Sequence, residues 1–320
     1  MNRRLADRAA ILHVALIALL FGLQFVLSDY HHLILARVMV LATFAIGYNV
    51  LFGYAGLLSL GHAMFFAAGL YGAGLTAYHL GWEAPAAFIA GLVAGTIFAF
   101  LVGLVALRTT GVAFMIVTMM FAQACYLLIL YFGEYTRGDE GFTIPAASRS
   151  FGFLGASVDL ADAALRYNLA LALMGIALAL TFVIVRAPVG RVLVAIRENE
   201  HRATMLGYNV VRYKLFAVVI SGTLSAAAGA AYALLFAYVG ATFASIQYSI
   251  YALLWTLLGG AGTVFGPFVG TLAMFSMVDV FSGFTSAYLL VVGVALVLLV
   301  LFFPKGVMGT LRDRLVPWLP

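Results

Sequence analysis

Charged side chains are scarce in this chain of 320 residues. Asp, Glu, Lys and Arg together account for 9% of the sequence, whereas hydrophobic residues account for 65%. A soluble globular domain usually has about 25% charged residues, so this chain has too few to cover a surface that faces water. The composition therefore excludes a soluble globular protein and predicts a protein of the lipid bilayer.

Charge is absent altogether from one long stretch of the chain. No Asp, Glu, Lys or Arg occurs between Lys214 and Asp279. A helix crosses the roughly 30 Å hydrocarbon core with about 20 residues, so this stretch holds more than one crossing. Long apolar runs, rather than alternating segments of about ten residues, exclude an outer-membrane barrel.

Several chemical signatures are also missing. Cys125 is the only cysteine, which excludes an internal disulfide, and its apolar surroundings predict a small buried hydrophobe. No Walker A sequence occurs, so any ATP must bind a partner. The six histidines show no metal-ligand spacing, and no nucleophile constellation is present. We therefore expect no catalytic residue, no metal site and no bound cofactor in this chain.

The apolar runs that remain predict an all-α polytopic membrane protein with about ten transmembrane helices, forming a single domain over residues 1–320. The predicted spans are 11–28, 33–52, 57–78, 84–107, 111–132, 167–185, 213–239, 246–261, 267–281 and 286–303. The third, eighth and ninth are short or rich in glycine, which predicts broken or re-entrant helices. No small-residue cleavage pattern follows the first span, so we interpret it as a retained helix rather than a signal peptide.

The distribution of charge predicts the orientation. Cationic residues cluster in three segments, which the positive-inside rule places in the cytoplasm: the N-terminal arm with Arg3, Arg4 and Arg8, the segment 186–214, and the C-terminal tail with Lys305, Arg312 and Arg314. The loop 134–166 holds five acidic residues against three arginines, so we expect it outside. An even number of crossings satisfies both assignments and leaves both termini cytoplasmic. The same rule explains the net charge of +5 without a nucleic-acid partner.

Two glycine-rich segments interrupt the helical pattern, one in each half of the chain. The first is Gly53-Tyr-Ala-Gly-Leu-Leu-Ser-Leu-Gly-His62 and the second is Gly259-Gly-Ala-Gly-Thr-Val-Phe-Gly-Pro-Phe-Val-Gly270. Irregular backbone at membrane depth persists only where it is buried in protein or lines a watery cavity, and paired breaks often mark a substrate path. The candidate path residues are therefore Tyr54, Ser59, His62, Gly259, Gly260 and Gly262. The alternative for these side chains is ordinary helix packing.

A short amphipathic helix is predicted between Gly190 and Gly207. Val192, Ile196, Ala203 and Leu206 fall along one helical stripe, Pro188 precedes the helix, and Gly207 is placed to stop it. Such a helix between two spans lies on the lipid surface or docks into another protein.

Three segments in this order and spacing resemble the permease subunits of branched-chain amino acid ABC importers, the LivM-like family. They are Gly53–His62, the run Ala195-Ile-Arg-Glu-Asn-Glu200 through Leu206-Gly207, and Gly259–Gly270. The likeness extends from about residue 35 to residue 308. The chain departs from the family pattern at Leu57, at His201-Arg202, and at Thr136-Arg-Gly-Asp-Glu-Gly141 in the external loop, and the last departure leaves the substrate open.

The resemblance implies a role for the cytoplasmic segment 187–211 as a coupling loop that sits in a groove of an ATP-hydrolysing subunit. The implied contact positions are Arg197, Glu198, Asn199, Glu200 and Gly207. The implied assembly, in a bacterial inner membrane, has a second permease subunit, identical or homologous, two ABC ATPase subunits that bind ATP and Mg²⁺, and an external solute-binding protein. Asp139 and Glu140 are candidates for docking that protein or for lining the outer mouth.

Alternatives to this reading differ in solute or in energy source. The same class of importer carries urea, short amides or aromatic acids as well as branched-chain amino acids. An ion-coupled secondary transporter would need intramembrane ionisable residues, which are rare here. Arg37 and Asp279 are the main candidates; the predicted topology sets them at similar depth near the outer face, where they pair or reach the interface independently.

Overall fold

The computed structural model describes residues 3–153, 156–284, 287, 290, 291, 293, 294, 297, 301–303 and 305–314. Within them, five helices are long and apolar enough to cross a membrane. They are α2 (Asp29–Asn49, extended by a π-helical turn Val50–Tyr54), α4 (Ala84–Ala106), α5 (Gly111–Tyr131), α8 (Ala163–Arg186) and α11 (Val210–Phe236). The chain is therefore a predominantly helical, polytopic membrane protein. Half of the predicted span 286–303 lies outside the described residues.

The remaining helices complete the architecture. They are α1 (Arg3–Leu23), α3 (Ala63–His79), α6 (Gly133–Thr136), α7 (Ala146–Arg149), α9 (Pro188–Glu198), α10 (Glu200–Met205), a 3₁₀ turn (Ala241–Ala244), α12 (Ile246–Gly259), α13 (Gly266–Ser282) and α14 (Gly306–Arg314). Most predicted spans match a helix to within a few residues. The span 57–78 does not, because α3 begins at Ala63 and residues 55–62 form an irregular connection after the π turn.

The description as all-α is wrong outside the spans, where two small antiparallel sheets occur. Strand β1 (Phe142–Thr143) pairs with β4 (Tyr238–Val239), and β2 (Ser150–Phe153) pairs with β3 (Ala156–Asp159). The first sheet ties the loop between α5 and α8 to the chain that follows α11. We call this side of the molecule the loop end, and the side that carries α9 and α10 the α9 end.

Glycine sets the spacing of the central helices. Helices α3, α4 and α11 pack on one another, and a Cβ atom added to Gly69, Gly95 or Gly229 would clash with Ala226 or with the Phe66 carbonyl. Small residues that let backbones approach closely are the usual basis of helix packing in lipid. The sequence pair Gly91 and Gly95 does lie at such a contact.

Helix α2 is buried along most of its length. Ala36 and residues 38–51 are all buried, because α2 packs against α8, α11, α12 and α13. Arg37 interrupts this run as an exposed residue and lies over the ring of Phe236, 5.3 Å from its centroid. Asp279 accepts a hydrogen bond from the Tyr30 hydroxyl at 3.0 Å. Of the two alternatives for Arg37 and Asp279, pairing is not found among the described residues, since each has a different neighbour.

Candidate functional site

The segment between α8 and α11 forms two helices, not the single helix that its apolar stripe predicts. Asn199 adopts an extended conformation (φ −160°, ψ 101°) between α9 and α10, and its side chain accepts a hydrogen bond from the Arg202 amide at 2.9 Å. This N-cap stabilises the start of α10 and turns the chain. Pro188 is the first residue of α9 rather than its predecessor.

The two short helices still share one buried face. Val192, Ile196 and Ala203 pack with Val210 in a small apolar cluster. Leu206 does not join it, because the break at Asn199 shifts the register and leaves this side chain 75% exposed. The segment is thus fixed to the bundle on one side and open on the other.

The open side carries most of the predicted contact positions. Glu198, Asn199, Glu200 and Gly207 are exposed. Gly207 ends α10 in a left-handed conformation (φ +85°), and a Cβ added there would meet no atom within 4 Å. Glycine is therefore needed for backbone conformation rather than for space within this chain.

Glu200 has a partner that the sequence reasoning missed. Its Oε2 lies 2.6 Å from Nζ of Lys214, whose side chain is 9% exposed, against 47% for that of Glu200. Lys214 belongs to the first turns of α11, so this ion pair joins the tip of the α9–α10 segment to a membrane-spanning helix.

Arg197 connects the same segment to the first glycine-rich interruption. Its guanidinium Nη1 donates a hydrogen bond to the carbonyl oxygen of Gly53 in the π turn. Gly56, at φ +71°, passes so close that an added Cβ would lie 2.6 Å from Cγ of Arg197. Glycine at 56 is thus required both by its conformation and by the approach of this arginine.

The second interruption reaches the same point. A Cβ on Gly262 would lie 3.1 Å from Nη1 of Arg197. The Gly262 amide donates to Oδ1 of Asn49 at 2.9 Å, and Nδ2 of Asn49 donates to the Thr263 carbonyl at 2.9 Å. Arg312 of α14 donates from Nη1 to the Gly262 carbonyl at 3.3 Å.

We call this meeting point the arginine junction, defined by Arg197, Arg312, Asn49, Gly53 and Gly262. It brings together the three sequence segments that single out the chain. Asn49 and Arg312 were not predicted. The sequence did offer a signal for Asn49, because an amide side chain is unusual in an apolar helix. It offered none for Arg312, a single arginine in the C-terminal tail.

The other candidate path residues lie inside the bundle. Ser59 and His62 are both fully buried. Nε2 of His62 lies 2.8 Å from the hydroxyl of Ser225 and 3.1 Å from that of Ser221, both on α11. The Ser59 carbonyl accepts a hydrogen bond from the Tyr48 hydroxyl at 3.0 Å. In this conformation these groups join α2, the first break and α11.

Tyr54, Gly259 and Gly260 frame the two interruptions. Tyr54 is 4% exposed, and its hydroxyl has no hydrogen-bond partner among the described residues. A Cβ on Gly259 would clash with the Gly266 carbonyl, and one on Gly260 would lie 2.7 Å from the Gly309 amide nitrogen. Close packing therefore accounts for both glycines.

Asp139 and Glu140 are exposed at the loop end, in a loop that is held firmly at other points. Arg149 donates from Nε to the Leu234 carbonyl and from Nη2 to that of Leu160, at 3.0 and 3.1 Å. Burial lowers the pKa of Arg149, and the charge of Asp159 opposes that shift. The loop is thus a folded cap on α11, with its acidic tip free for contact.

Comparison with known proteins agrees with this arrangement. Residues 30–302 match the family described as branched-chain amino acid transport system, permease component. The chain is 28% identical to the high-affinity branched-chain amino acid transport system permease protein LivM of Escherichia coli (strain K12), over 94% of this chain and 75% of that protein. The LivM protein of Salmonella typhimurium (strain LT2) matches with the same identity and coverage.

The comparison with solved structures found no match to this chain. The family match spans most of the chain and includes all three segments that meet at the arginine junction. The chain belongs to the permease component family of the branched-chain amino acid ABC transport systems.

Proposed function

We propose that this chain forms half of the translocation pathway of an ATP-driven importer for branched-chain or related amino acids in a bacterial inner membrane. Support comes from the family and from the names of the two LivM relatives. The partners would be a second permease subunit, two ATPase subunits that bind ATP and Mg²⁺, and an external solute-binding protein. The family is one of transporter components, not of enzymes.

The topology proposed here has about ten crossings and both termini in the cytoplasm. The α9 end then faces the cytoplasm and the loop end faces outward. The excess of arginine in residues 186–214 and of carboxylates in residues 134–166 supports this orientation.

The observation that carries the coupling role is the arginine junction. Arg197 lies on an exposed segment, and its guanidinium contacts the Gly53 carbonyl and lies against Gly262. A displacement of α9 and α10 by an ATPase would therefore act directly on both helix breaks. Packed helices switch between discrete arrangements rather than deforming continuously, so such a contact suits the conversion of nucleotide-driven movement into alternating access.

The path itself would open beside the two breaks. Tyr54, Ser59, His62, Gly259, Gly260 and Gly262 border them, and the buried members would reach water only when the helices move apart. The surface that enters the ATPase groove would consist of the exposed residues Glu198, Asn199, Glu200 and Gly207. Arg197 would connect this surface to the helix breaks.

The test compares Arg197→Ala with Arg191→Ala in the complete complex, reconstituted in vesicles with ATPase and binding protein. Arg191 is a matched control, because it is exposed on the same helix and has no hydrogen bond or ion pair among the described residues. We expect Arg197→Ala to lower amino acid uptake at least tenfold while the complex still assembles. Arg191→Ala should transport normally. Normal uptake by Arg197→Ala would reject the junction as the coupling element.

A further inference from the structure

Arg37 occupies an unusual position for a charged residue. It lies eight residues into α2, about 12 Å along the helix axis from Asp29, and is exposed within a run that is otherwise buried from Ala36 to Leu51. A cation that faced lipid at this depth would be costly unless it reached the interface or a watery cavity. The direction in which Arg37 points therefore indicates where an interface or a watery cavity lies.

Arg37 points towards the loop end of α11. Its guanidinium carbon lies 5.3 Å from the centroid of the Phe236 ring, and that of Arg166 lies 5.9 Å from the same ring. Arg166 donates from Nε to the Leu160 carbonyl and from Nη2 to the Ala161 carbonyl, at 3.4 and 3.1 Å. Arg37 has no hydrogen bond and no ion pair within the described part of the chain, so its five N–H donors are available.

Two tyrosines lie beside the same ring. The Tyr232 ring packs on Phe236 with the centroids 4.8 Å apart, and Phe243 joins Tyr232 to Tyr248 at centroid distances of 4.8 and 5.0 Å. Neither the Tyr232 nor the Tyr248 hydroxyl forms a hydrogen bond among the residues that the structure describes. Beside them, Gln247 is exposed and donates from Nε2 to the Tyr251 hydroxyl at 3.0 Å.

These groups lie where a re-entrant chain passes from the loop end into the bundle. Tyr238–Val239 pair with the external loop, whereas the Ser249 hydroxyl accepts a hydrogen bond from the Ala63 amide at the start of α3. The segment between them thus descends from the end of the bundle to the first helix break. An exposed amide and the unpaired hydroxyl of Tyr248 on such a segment suit a watery passage rather than lipid.

We propose that Arg37, with the hydroxyls of Tyr232 and Tyr248, receives the carboxylate of the transported amino acid at the outer end of the pathway. This inference rests on the proposed function and deepens it. A guanidinium binds a carboxylate through two parallel hydrogen bonds, and phenolic hydroxyls add neutral donors. The site would therefore select ligands with a carboxylate and discriminate against the corresponding amides.

Trp255 provides a reporter inside the same aromatic cluster. Its ring centroid lies 6.5 Å from that of Tyr248 and 6.2 Å from that of Tyr251. The complete complex is titrated with leucine, with 4-methylpentanoate, which lacks the amino group, and with leucinamide, which lacks the carboxylate. The difference in emission between the native complex and its Trp255→Phe variant isolates the signal from this residue.

We expect leucine and 4-methylpentanoate to change the Trp255 emission, and leucinamide to leave it unchanged. Arg37→Gln should raise the half-saturating concentration of leucine at least tenfold and slow uptake. Arg37→Lys should retain part of the binding. Arg108 is an exposed arginine that follows the last residue of α4, Ala106. Arg108→Gln is the control, and it should bind and take up leucine like the native complex.

Three results would overturn the inference: equal responses to leucine and leucinamide, no Trp255 response in a complex that transports leucine, or native binding and uptake by Arg37→Gln. Arg37 would then be an interfacial anchor. ATP-driven uptake of leucine by the native complex is measured in the same preparation. Absence of ATP-driven leucine uptake would contradict the proposed function. Uptake that is unchanged by Arg37→Gln would contradict only the carboxylate site.

Discussion

At the scale of single residues, Glu200 is a predicted contact position for another subunit and also the partner of Lys214 in an internal ion pair. Lys214 has little exposure, so removal of Glu200 would leave its ammonium group without a counter-charge. The family resemblance identified Glu200 as a contact for another subunit but could not identify Lys214. Fourteen residues separate the two in sequence, and the turn at Gly207 between α10 and α11 brings them together.

The charge reversal Glu200→Lys should therefore impair both assembly of this segment and coupling. It places two ammonium groups together, and we expect lower thermal stability and loss of transport-linked ATP hydrolysis. Glu200→Gln should lower stability less than the reversal, because the amide oxygen can still accept a hydrogen bond from the Lys214 ammonium group. Unfolding temperature and uptake are measured together. Glu198→Lys is the control for the unfolding temperature alone, because it reverses a charge on the same exposed surface without removing the ion pair to Lys214.

The double variant Glu200→Lys, Lys214→Glu separates the two roles. Restored stability without restored coupling would show that Glu200 contacts a partner as well as Lys214. Restoration of both would show that the internal ion pair alone matters. A double variant no better than Glu200→Lys would contradict the structural role assigned to the pair.

At the scale of helices and loops, the glycine content of the sequence predicted the interruptions of the helices. Hydrophobic periodicity was a poorer guide to where individual helices begin and end. The glycines at 53–62 and 259–270 correctly indicated interruptions, because several glycines disfavour a continuous helix. The prediction of one continuous helix from the apolar stripe between Val192 and Leu206 was wrong, because hydrophobic periodicity carries no information about the extended backbone at Asn199. Nor could one sequence show that the two interruptions meet Arg197, which depends on long-range packing.

Glycine at helix contacts gives a prediction for the elements. Gly69→Ala or Gly229→Ala should destabilise the packing of α3 on α11, because the added methyl group would clash with backbone atoms. Overpacking costs about 1–3 kcal/mol. Gly22→Ala in α1 is the control, since an added Cβ there meets no atom within 4 Å. Equal thermal stability of all three variants in detergent would contradict the tight contact.

For the whole molecule, the sequence predicted membrane class and family, while orientation stays a prediction. Cysteine labelling in a Cys125→Ala background tests it. Ala147 is exposed in the loop, and a cysteine there should react with an impermeant reagent added outside intact cells. Ala203 is a poor cytoplasmic site because it is buried, so exposed His201 is the better position. His201→Cys should be protected until the cells are opened, and reversed labelling would invert the topology.

Asp139 and Glu140 test how the whole assembly meets its binding protein. Both are exposed on a loop that Arg149 fixes to α11, so a force on this loop would reach the bundle. Exposed charge pairs contribute about 0–1 kcal/mol each and weaken with salt.

If these carboxylates dock the binding protein, its stimulation of ATP hydrolysis in vesicles should fall as salt rises. Asp139→Asn with Glu140→Gln should abolish that salt sensitivity, whereas Asp159→Asn, an exposed-loop control, should retain it. Stimulation that is the same in the double variant at every salt concentration would leave Asp139 and Glu140 as a solvated surface.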